Sequence, residues 1–261
     1  KASGIMDAAL LEKVQAGQSI TERELESLTR AKERINKICQ KAYELDVPIL
    51  IDAEETWIQD ALDGMVYDMM ERYNRERAIV YNTYQLYRTD ALFNLAQTCD
   101  AARKNGYFVG VKLVRGAYME KERDRAEAMG YMSPIYPDKE ATDDAFNKAL
   151  RYCIENIDRV TVMCGSHNEY SNRYLTTLMA EHGIAPSDDR VWFAQLYGMS
   201  DNISFNLARS GYHVAKYVPY GPVRLVMPYL FRRAEENTSV AGQRSRDLSM
   251  IRTELERRKT S

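Results

Sequence analysis

Phe108-Val109-Gly110-Val111-Lys112-Leu113-Val114-Arg115-Gly116-Ala117-Tyr118 is the stretch whose reading decides the fold. It is a short apolar run rich in β-branched residues, and it ends in cations and then a glycine. A lysine inside such a run is expensive unless it meets a partner. The glycine lets backbone approach a ligand closely. Two readings stay open for Lys112 and Arg115: a ligand-facing pair at a strand's end, or a structural lysine paired with a carboxylate such as Asp52.

Outward from this stretch, runs of the same kind recur at 1–5, 47–52, 78–84, 160–164, 191–196 and 213–218, seven with 108–114 itself. Between them, 56–73, 89–104, 143–156 and 168–182 carry apolar residues at helical spacing. Asn105-Gly106, Gly183 with Pro186, and Gly211 punctuate the helix-to-strand turns. Such alternation predicts an α/β fold with a parallel sheet. No Gly-rich dinucleotide loop follows the first run, and polar residues recur at the C-terminal ends of the others. Asp52, Lys112, Arg115, His167, Gln195 and Tyr217 stand at or near such ends, which in a barrel converge on one mouth. The expectation is a distorted (β/α)8 TIM-type barrel forming a single domain over 1–261. A closed barrel needs eight strands, so the first is expected upstream of Lys1.

Two connections are longer than the pattern requires. Residues 21–45 read as a highly charged helix, with Thr21 and Glu24 spaced as a capping box. Residues 118–139 hold a second charged helix and the loop Ser133-Pro134-Ile135-Tyr136-Pro137. Connections of this length usually serve function or interaction. The tail at 242–261 is basic and helical in pattern.

Composition narrows the function classes. Of 261 residues, 45% are hydrophobic and 28% charged, ordinary for a globular chain. The net charge of −2 gives no electrostatic reason to expect nucleic acid or an anionic membrane as partner. Cys39, Cys99, Cys153 and Cys164 lie far apart with no CxxC pair. They are expected to be buried thiols in a reducing compartment, and no metal site is expected. No apolar run reaches the ~20 residues of a spanning helix, and no signal or transit pattern is visible.

Several residues could carry chemistry. Arg232 and Arg233 are adjacent in Tyr229-Leu230-Phe231-Arg232-Arg233. They are either an anion clamp, since guanidinium forks match carboxylate or phosphate oxygens, or part of a solvated helix face. Asp52 could orient a base, neutralise a buried cation or cap the helix that starts near Thr56. His167 is either a structural residue or a cofactor contact. No Ser-His-Asp or Cys-His order suggests a nucleophile.

Five segments in order resemble the proline dehydrogenase family, closest to its eukaryotic-type branch. They are IDAEETW (51–57), KLVRGAYMEKER (112–123), SHNE (166–169), FAQLYGMSD (193–201) and KYVPYGPVRLVMPYLFRRAEENTS (216–239). The resemblance implies an FAD-holding barrel that oxidises L-proline to Δ1-pyrroline-5-carboxylate by hydride transfer to flavin N5. Electrons would pass to a quinone or another acceptor, which is compatible with peripheral membrane association; the oligomeric state is not implied. On the substrate side, Arg232 and Arg233 match the carboxylate clamp, and Tyr217 and Tyr229 the walls of the ring pocket. Leu113 matches the floor of that pocket and Tyr118 a further contact. Lys1 matches an active-site strand lysine, ordered with a tyrosine by Asp52. On the cofactor side, Lys112 matches the cation near flavin N5, and Asn82 stands where the family often has a Gln at the pyrimidine edge, with Gln195 near enough to assist. Ala53, Arg115, Gly116, Ala117, Ser166, His167 and Glu236 match further FAD contacts. The family's acidic gate would lie upstream of Lys1.

Three rival readings remain: a hydroxyproline dehydrogenase, a flavin-free barrel lyase or isomerase using the arginine pair on a phosphate, and a non-catalytic interaction module. The expected location follows the host. It is cytoplasmic or peripheral at the inner membrane in a bacterium, and mitochondrial in a eukaryote.

Overall fold

A computed structural model describes residues 1–239, 252–253 and 255–259. The chain divides into two compact units. The first comprises Lys1–Ala194 and Asn202–Ala215, and the second Gln195–Asp201 and Lys216–Ser261.

Six strands form one sheet in sequential order: β1 (Ile49–Ile51), β2 (Val80–Gln85), β3 (Val109–Val114), β4 (Val160–Gly165), β5 (Val191–Leu196) and β6 (His213–Tyr217). Pairing from β1 through β5 is parallel. Helices α1 (Ala8–Gln15) and α2 (Glu22–Glu44) precede β1. Between strands lie α3 (Thr56–Tyr73), α4 (Ala91–Asn105), α5 (Met119–Met129) with α6 (Lys139–Glu155), α7 (Glu169–Glu181) and α8 (Asp201–Arg209); α9 (Val223–Ser239) follows β6. A doubly wound sheet reverses its strand order at a switch point, whereas a barrel sheet keeps it sequential with a helix after each strand. The observed order is the barrel type.

Strand period two sorts the sheet's residues. Register pairs Thr83 with Lys112 and Lys112 with Met163, and it pairs Tyr84 with Leu113 and Leu113 with Cys164. Val109, Val111 and Leu113 therefore share one face with Val160, Val162, Cys164, Val191 and Phe193. All are buried in the cluster that contains Leu95, Phe146, Leu150 and Leu178 from the helices. Each such side chain contributes roughly 1.5–3 kcal/mol on burial. The opposite face carries Tyr81, Thr83, Gly110, Lys112, Thr161 and Met163. Gly110 is required there, because a Cβ would stand 2.5 Å from Val80 O and 2.7 Å from the Tyr81 ring.

The expected strand at 1–5 is not one: Ala2–Gly4 is a 3-10 turn, so six strands rather than seven are present among the described residues. Ala-Ser-Gly has little β propensity, and its backbone closes on itself through Gly4 N to Lys1 O and Ile5 N to Ala2 O. The Ser3 N–H is taken by Glu54 Oε1 at 2.8 Å. The α1 helix is an element the hydrophobic pattern did not announce. The capping box of α2 is formed as spaced, with Thr21 and Glu24 satisfying each other's backbone N–H. Of the tail at 242–261, residues 252–253 and 255–259 are helical, and the rest lies outside the described residues. All four cysteines are free and buried, and burial raises the thiols of Cys39 and Cys99 to about 11.

Candidate active site

At the C-terminal ends of β1, β2 and β3, Asp52, Thr83 and Lys112 fall in one row. Ile51 pairs with Asn82 one step earlier and Thr83 pairs with Lys112. Lys112 Nζ donates to Asp52 Oδ1 at 2.7 Å. Burial pushes the Asp52 carboxyl upward, but the charge and hydrogen bond of Lys112, with Lys1 adding, hold it below the usual carboxylate range. The pairing that the sequence left open for Lys112 is thus made.

Beside this pair, Lys1 Nζ hydrogen-bonds Tyr118 Oη and lies 4.9 Å from the centroid of that ring. Lys1 caps the 3-10 turn rather than lying on a strand. Burial opposes its charge, yet the Tyr118 hydroxyl and the carboxylates Glu54 and Asp52 outweigh this and raise its pKa. Tyr118 in turn is raised by burial against the pull of Lys1. Lys1, Asp52, Lys112 and Tyr118 are therefore one electrostatically connected group. The loop carrying Tyr118 is anchored by fully buried Glu122, which accepts Thr56 N–H at 2.7 Å and Thr56 Oγ1–H at 2.6 Å.

Two expected site residues have the opposite strand phase from Lys112. Asn82 donates through Nδ2 to Asp63 Oδ1 on α3 at 2.7 Å, away from the face of Lys112. Gln85, one and a half periods on and in register with Val114, shares the Lys112 face. Its Nε2 donates to Glu54 O at 2.8 Å, and its Oε1 accepts Ala117 N–H at 3.1 Å. Leu113 is fully buried between sheet and helices, opposite in phase to Lys112. The sequence pattern contains the needed signal, the period-two phase from Thr83 to Gln85, but the run at 78–84 stops one residue short of it.

Arg115 is held by its neighbours. Its Nε donates to Asp143 Oδ1 at 2.6 Å, and its two terminal nitrogens to Ser166 Oγ at 2.7 Å and Ser171 Oγ at 2.9 Å. Its guanidinium also lies 4.4 Å from the Phe146 ring centroid. Gly116 has φ +146°, and a Cβ there would meet the Tyr87 ring at 2.4 Å, so the close approach it permits is to Tyr87. Ala53 and Ser166 are buried, and His167 is half-buried.

In the second unit, Tyr217 and Tyr229 have ring centroids 5.4 Å apart, and the Arg233 guanidinium carbon lies 5.0 Å from the Tyr229 centroid. Two phenol rings and a guanidinium thus form one cluster. Lys216 Nζ donates to Met199 O and Asp201 Oδ1, each at 2.7 Å. Gln195 is buried. The side chains of Arg232 and Glu236 lie outside the described residues. Among the described residues no group of three His, Cys, Asp or Glu could hold a metal, and no helix is long and apolar enough to cross a membrane.

Comparison with known proteins adds to this geometry. The sequence model of the family described as Proline dehydrogenase matches residues 4–246. The human protein named Proline dehydrogenase 1, mitochondrial, is 43% identical over 241 residues, 91% of this chain and 40% of the human one. A Xenopus laevis protein named Hydroxyproline dehydrogenase is 39% identical over 250 residues, 94% of this chain and 54% of that one. The chain thus spans about half the length, or less, of these relatives. Among solved structures, proline utilization A from Bdellovibrio bacteriovorus, inactivated by N-propargylglycine, superposes with a TM-score of 0.77. It is 25% identical, and the match covers 92% of this chain and 23% of that one.

Proposed function

Because the chain belongs to the proline dehydrogenase family, we propose that it oxidises L-proline to Δ1-pyrroline-5-carboxylate with FAD as cofactor. The observation that carries this reading is the Lys112–Asp52 pair at the strand ends, a cation held at 2.7 Å by one carboxylate. Gln85 and Thr83 share its face. A charge, an amide donor, the Ser166 hydroxyl and the small residues Ala53, Gly116 and Ala117 suit the polar edge and phosphates of a flavin dinucleotide.

The residues proposed to hold FAD are Lys112, Gln85, Ala53, Gly116, Ala117, Ser166 and His167. Arg115 braces them, and Gln195 and Glu236 belong to the second unit. Gln85 takes the role that Asn82 was expected to fill. Bound FAD supplies the acceptor for the two electrons that leave the substrate. The chain's own work is orientation, which can account for much of a barrier without a nucleophile. Arg232 and Arg233 fix the carboxylate in a guanidinium fork, and Tyr217 and Tyr229 flank the ring. In the first unit, Lys1 and Tyr118, ordered by Asp52 and Glu54, form a polar group beside Lys112. We assign this activity to one catalytic domain over 1–261, with a quinone or similar acceptor as electron partner. A mitochondrial location follows if the source is eukaryotic, as the relatives' names have it; a cytoplasmic or inner-membrane-peripheral one follows if it is bacterial.

The Xenopus laevis relative supplies a second reading, hydroxyproline as substrate. The phenol of Tyr217 against Tyr229 would crowd a 4-hydroxyl, so proline is preferred here. An anaerobic visible spectrum of the FAD-reconstituted chain decides between them. Bleaching by L-proline but not by hydroxyproline is expected. Bleaching by hydroxyproline alone reverses the order of the two readings, and no flavin binding at all sinks both.

A further inference from the structure

Behind the strand ends a chain of amides runs from α3 to the loop after β3. Asp63 Oδ1 accepts Gln59 Nε2 at 2.7 Å and Asn82 Nδ2 at 2.7 Å. Gln59 Oε1 accepts Glu54 N–H at 2.6 Å. Glu54 O then accepts Gln85 Nε2 at 2.8 Å, and Gln85 Oε1 accepts Ala117 N–H at 3.1 Å. Gln59, Glu54 and Gln85 are all buried.

The direction of this chain is not arbitrary. A primary amide has donors at one end and an acceptor at the other, so a fixed partner at one end fixes which way the group is turned. The Asp63 oxygen can only accept here, so it draws the NH2 of Gln59 and turns the Gln59 carbonyl to Glu54 N–H. The Glu54 backbone is held at its N–H, and across its Cα, in the next peptide unit, the Glu54 carbonyl accepts from the NH2 of Gln85. That in turn sets the Gln85 carbonyl on Ala117 N–H. The second amide hydrogen of Gln85 has no partner among the described residues. Strand phase places Gln85 on the face that carries Lys112.

We propose that Gln59, oriented by Asp63, is a positioning residue for the cofactor: it holds the Glu54 backbone in the place from which the Glu54 carbonyl fixes the Gln85 amide. The inference rests on the reading that FAD binds at these strand ends. Gln59 touches neither cofactor nor substrate and acts only through Gln85. A single break in this buried chain leaves amide atoms unpaired and the Gln85 amide free to shift.

The test uses the full chain and reads FAD affinity by flavin fluorescence titration, the visible circular dichroism of the bound flavin, and the Tm of the apoprotein. Gln59→Leu is expected to weaken FAD binding about five- to tenfold, the loss of one well-made hydrogen bond, and to change the visible dichroism. Gln85→Leu is expected to do the same, and the double variant to add nothing, since the two act as one unit. Asp63→Asn keeps the accepting oxygen and is expected to leave affinity and dichroism unchanged even if Gln59→Leu folds poorly. Full additivity in the double variant, an unaltered Gln59→Leu, or a weakened Asp63→Asn would each overturn the relay while the unsubstituted chain still binds FAD. Failure of the unsubstituted chain to bind FAD overturns the flavin reading and the relay with it.

Discussion

Asp52 and Lys112 stand 60 residues apart in sequence and meet at 2.7 Å across the C-terminal ends of β1 and β3. Thr83 occupies the strand between them, in register with Lys112. Three consecutive strands of a parallel sheet thus deliver an acid, a hydroxyl and a base to one row. The acid is kept ionised by its neighbour despite partial burial.

Removing one member of that pair should therefore cost more than removing both. Lys112→Met leaves the Asp52 carboxylate half-buried without its counter-charge. A fully buried orphan costs about 3–5 kcal/mol, and exposure of these side chains reduces that to about 1–2 kcal/mol. The double variant Lys112→Met with Asp52→Asn should recover part of the loss. Urea unfolding at neutral pH measures both, and a double variant no more stable than the single one refutes the electrostatic account.

Glu122 is the second site where charge organises the fold. Its buried carboxylate receives the first helical N–H of α3 at Thr56 and the Thr56 hydroxyl, at the end of a helix where anions are favoured. Glu122→Ala is expected to cost about 2–3 kcal/mol by leaving that N–H unsatisfied. Glu122→Gln, which keeps an acceptor, should lose less than half as much. Amide hydrogen exchange at Thr56 should accelerate in step; unchanged protection there would refute the anchoring role.

Gly110 and Gly64 should respond to alanine with opposite signs. At Gly110 the new methyl meets Val80 O at 2.5 Å, a backbone atom that cannot move aside, and a cost of about 3 kcal/mol is expected. At Gly64, inside α3, nothing lies within 4 Å, so alanine should stabilise by about 0.5–1 kcal/mol through helix propensity. Thermal melts of the two variants give the signs directly, and equal effects would contradict the packing assigned to β3.

Much of this was legible in the chain itself, for identifiable reasons. Apolar runs bounded by Asn105-Gly106, Gly183 and Gly211 locate β3, β5 and β6 because breakers and strand length are local properties. The capping box at Thr21 and Glu24 was equally local. The phase of Asn82 and Leu113 was not legible, because a residue's face depends on the phase of its strand relative to its neighbours, and a one-residue shift exchanges core for mouth. The strand expected at 1–5 failed because Ala-Ser-Gly has little β propensity and its backbone closes into a 3-10 turn. Gln59 and Glu54 had no signature at all: one clamps a peptide with its side chain, and the other is clamped by its backbone.

The Thr21–Glu24 box also gives α2 a pH dependence with a definite sign. Glu24 Oε1 accepts Lys13 Nζ at 2.6 Å, and Oε2 accepts Thr21 N–H at 2.8 Å and Thr21 Oγ1–H at 3.0 Å. The hydrogen bond from Lys13, then those from Thr21, lower its pKa from 4.5 to about 2. A carboxyl whose folded value is depressed stabilises the fold fully above its unfolded value and loses that contribution as pH falls. The loss should therefore begin near pH 4.5 and run down toward about 2. Between those limits the Tm of the unsubstituted chain should fall more steeply than that of Glu24→Gln, which has no proton to gain there. Above about pH 6 the two slopes should coincide, with the variant lower throughout because it has lost the ion pair to Lys13. Parallel slopes in the acid range would mean that Glu24 titrates normally and that its contacts with Lys13 and Thr21 do not hold in solution.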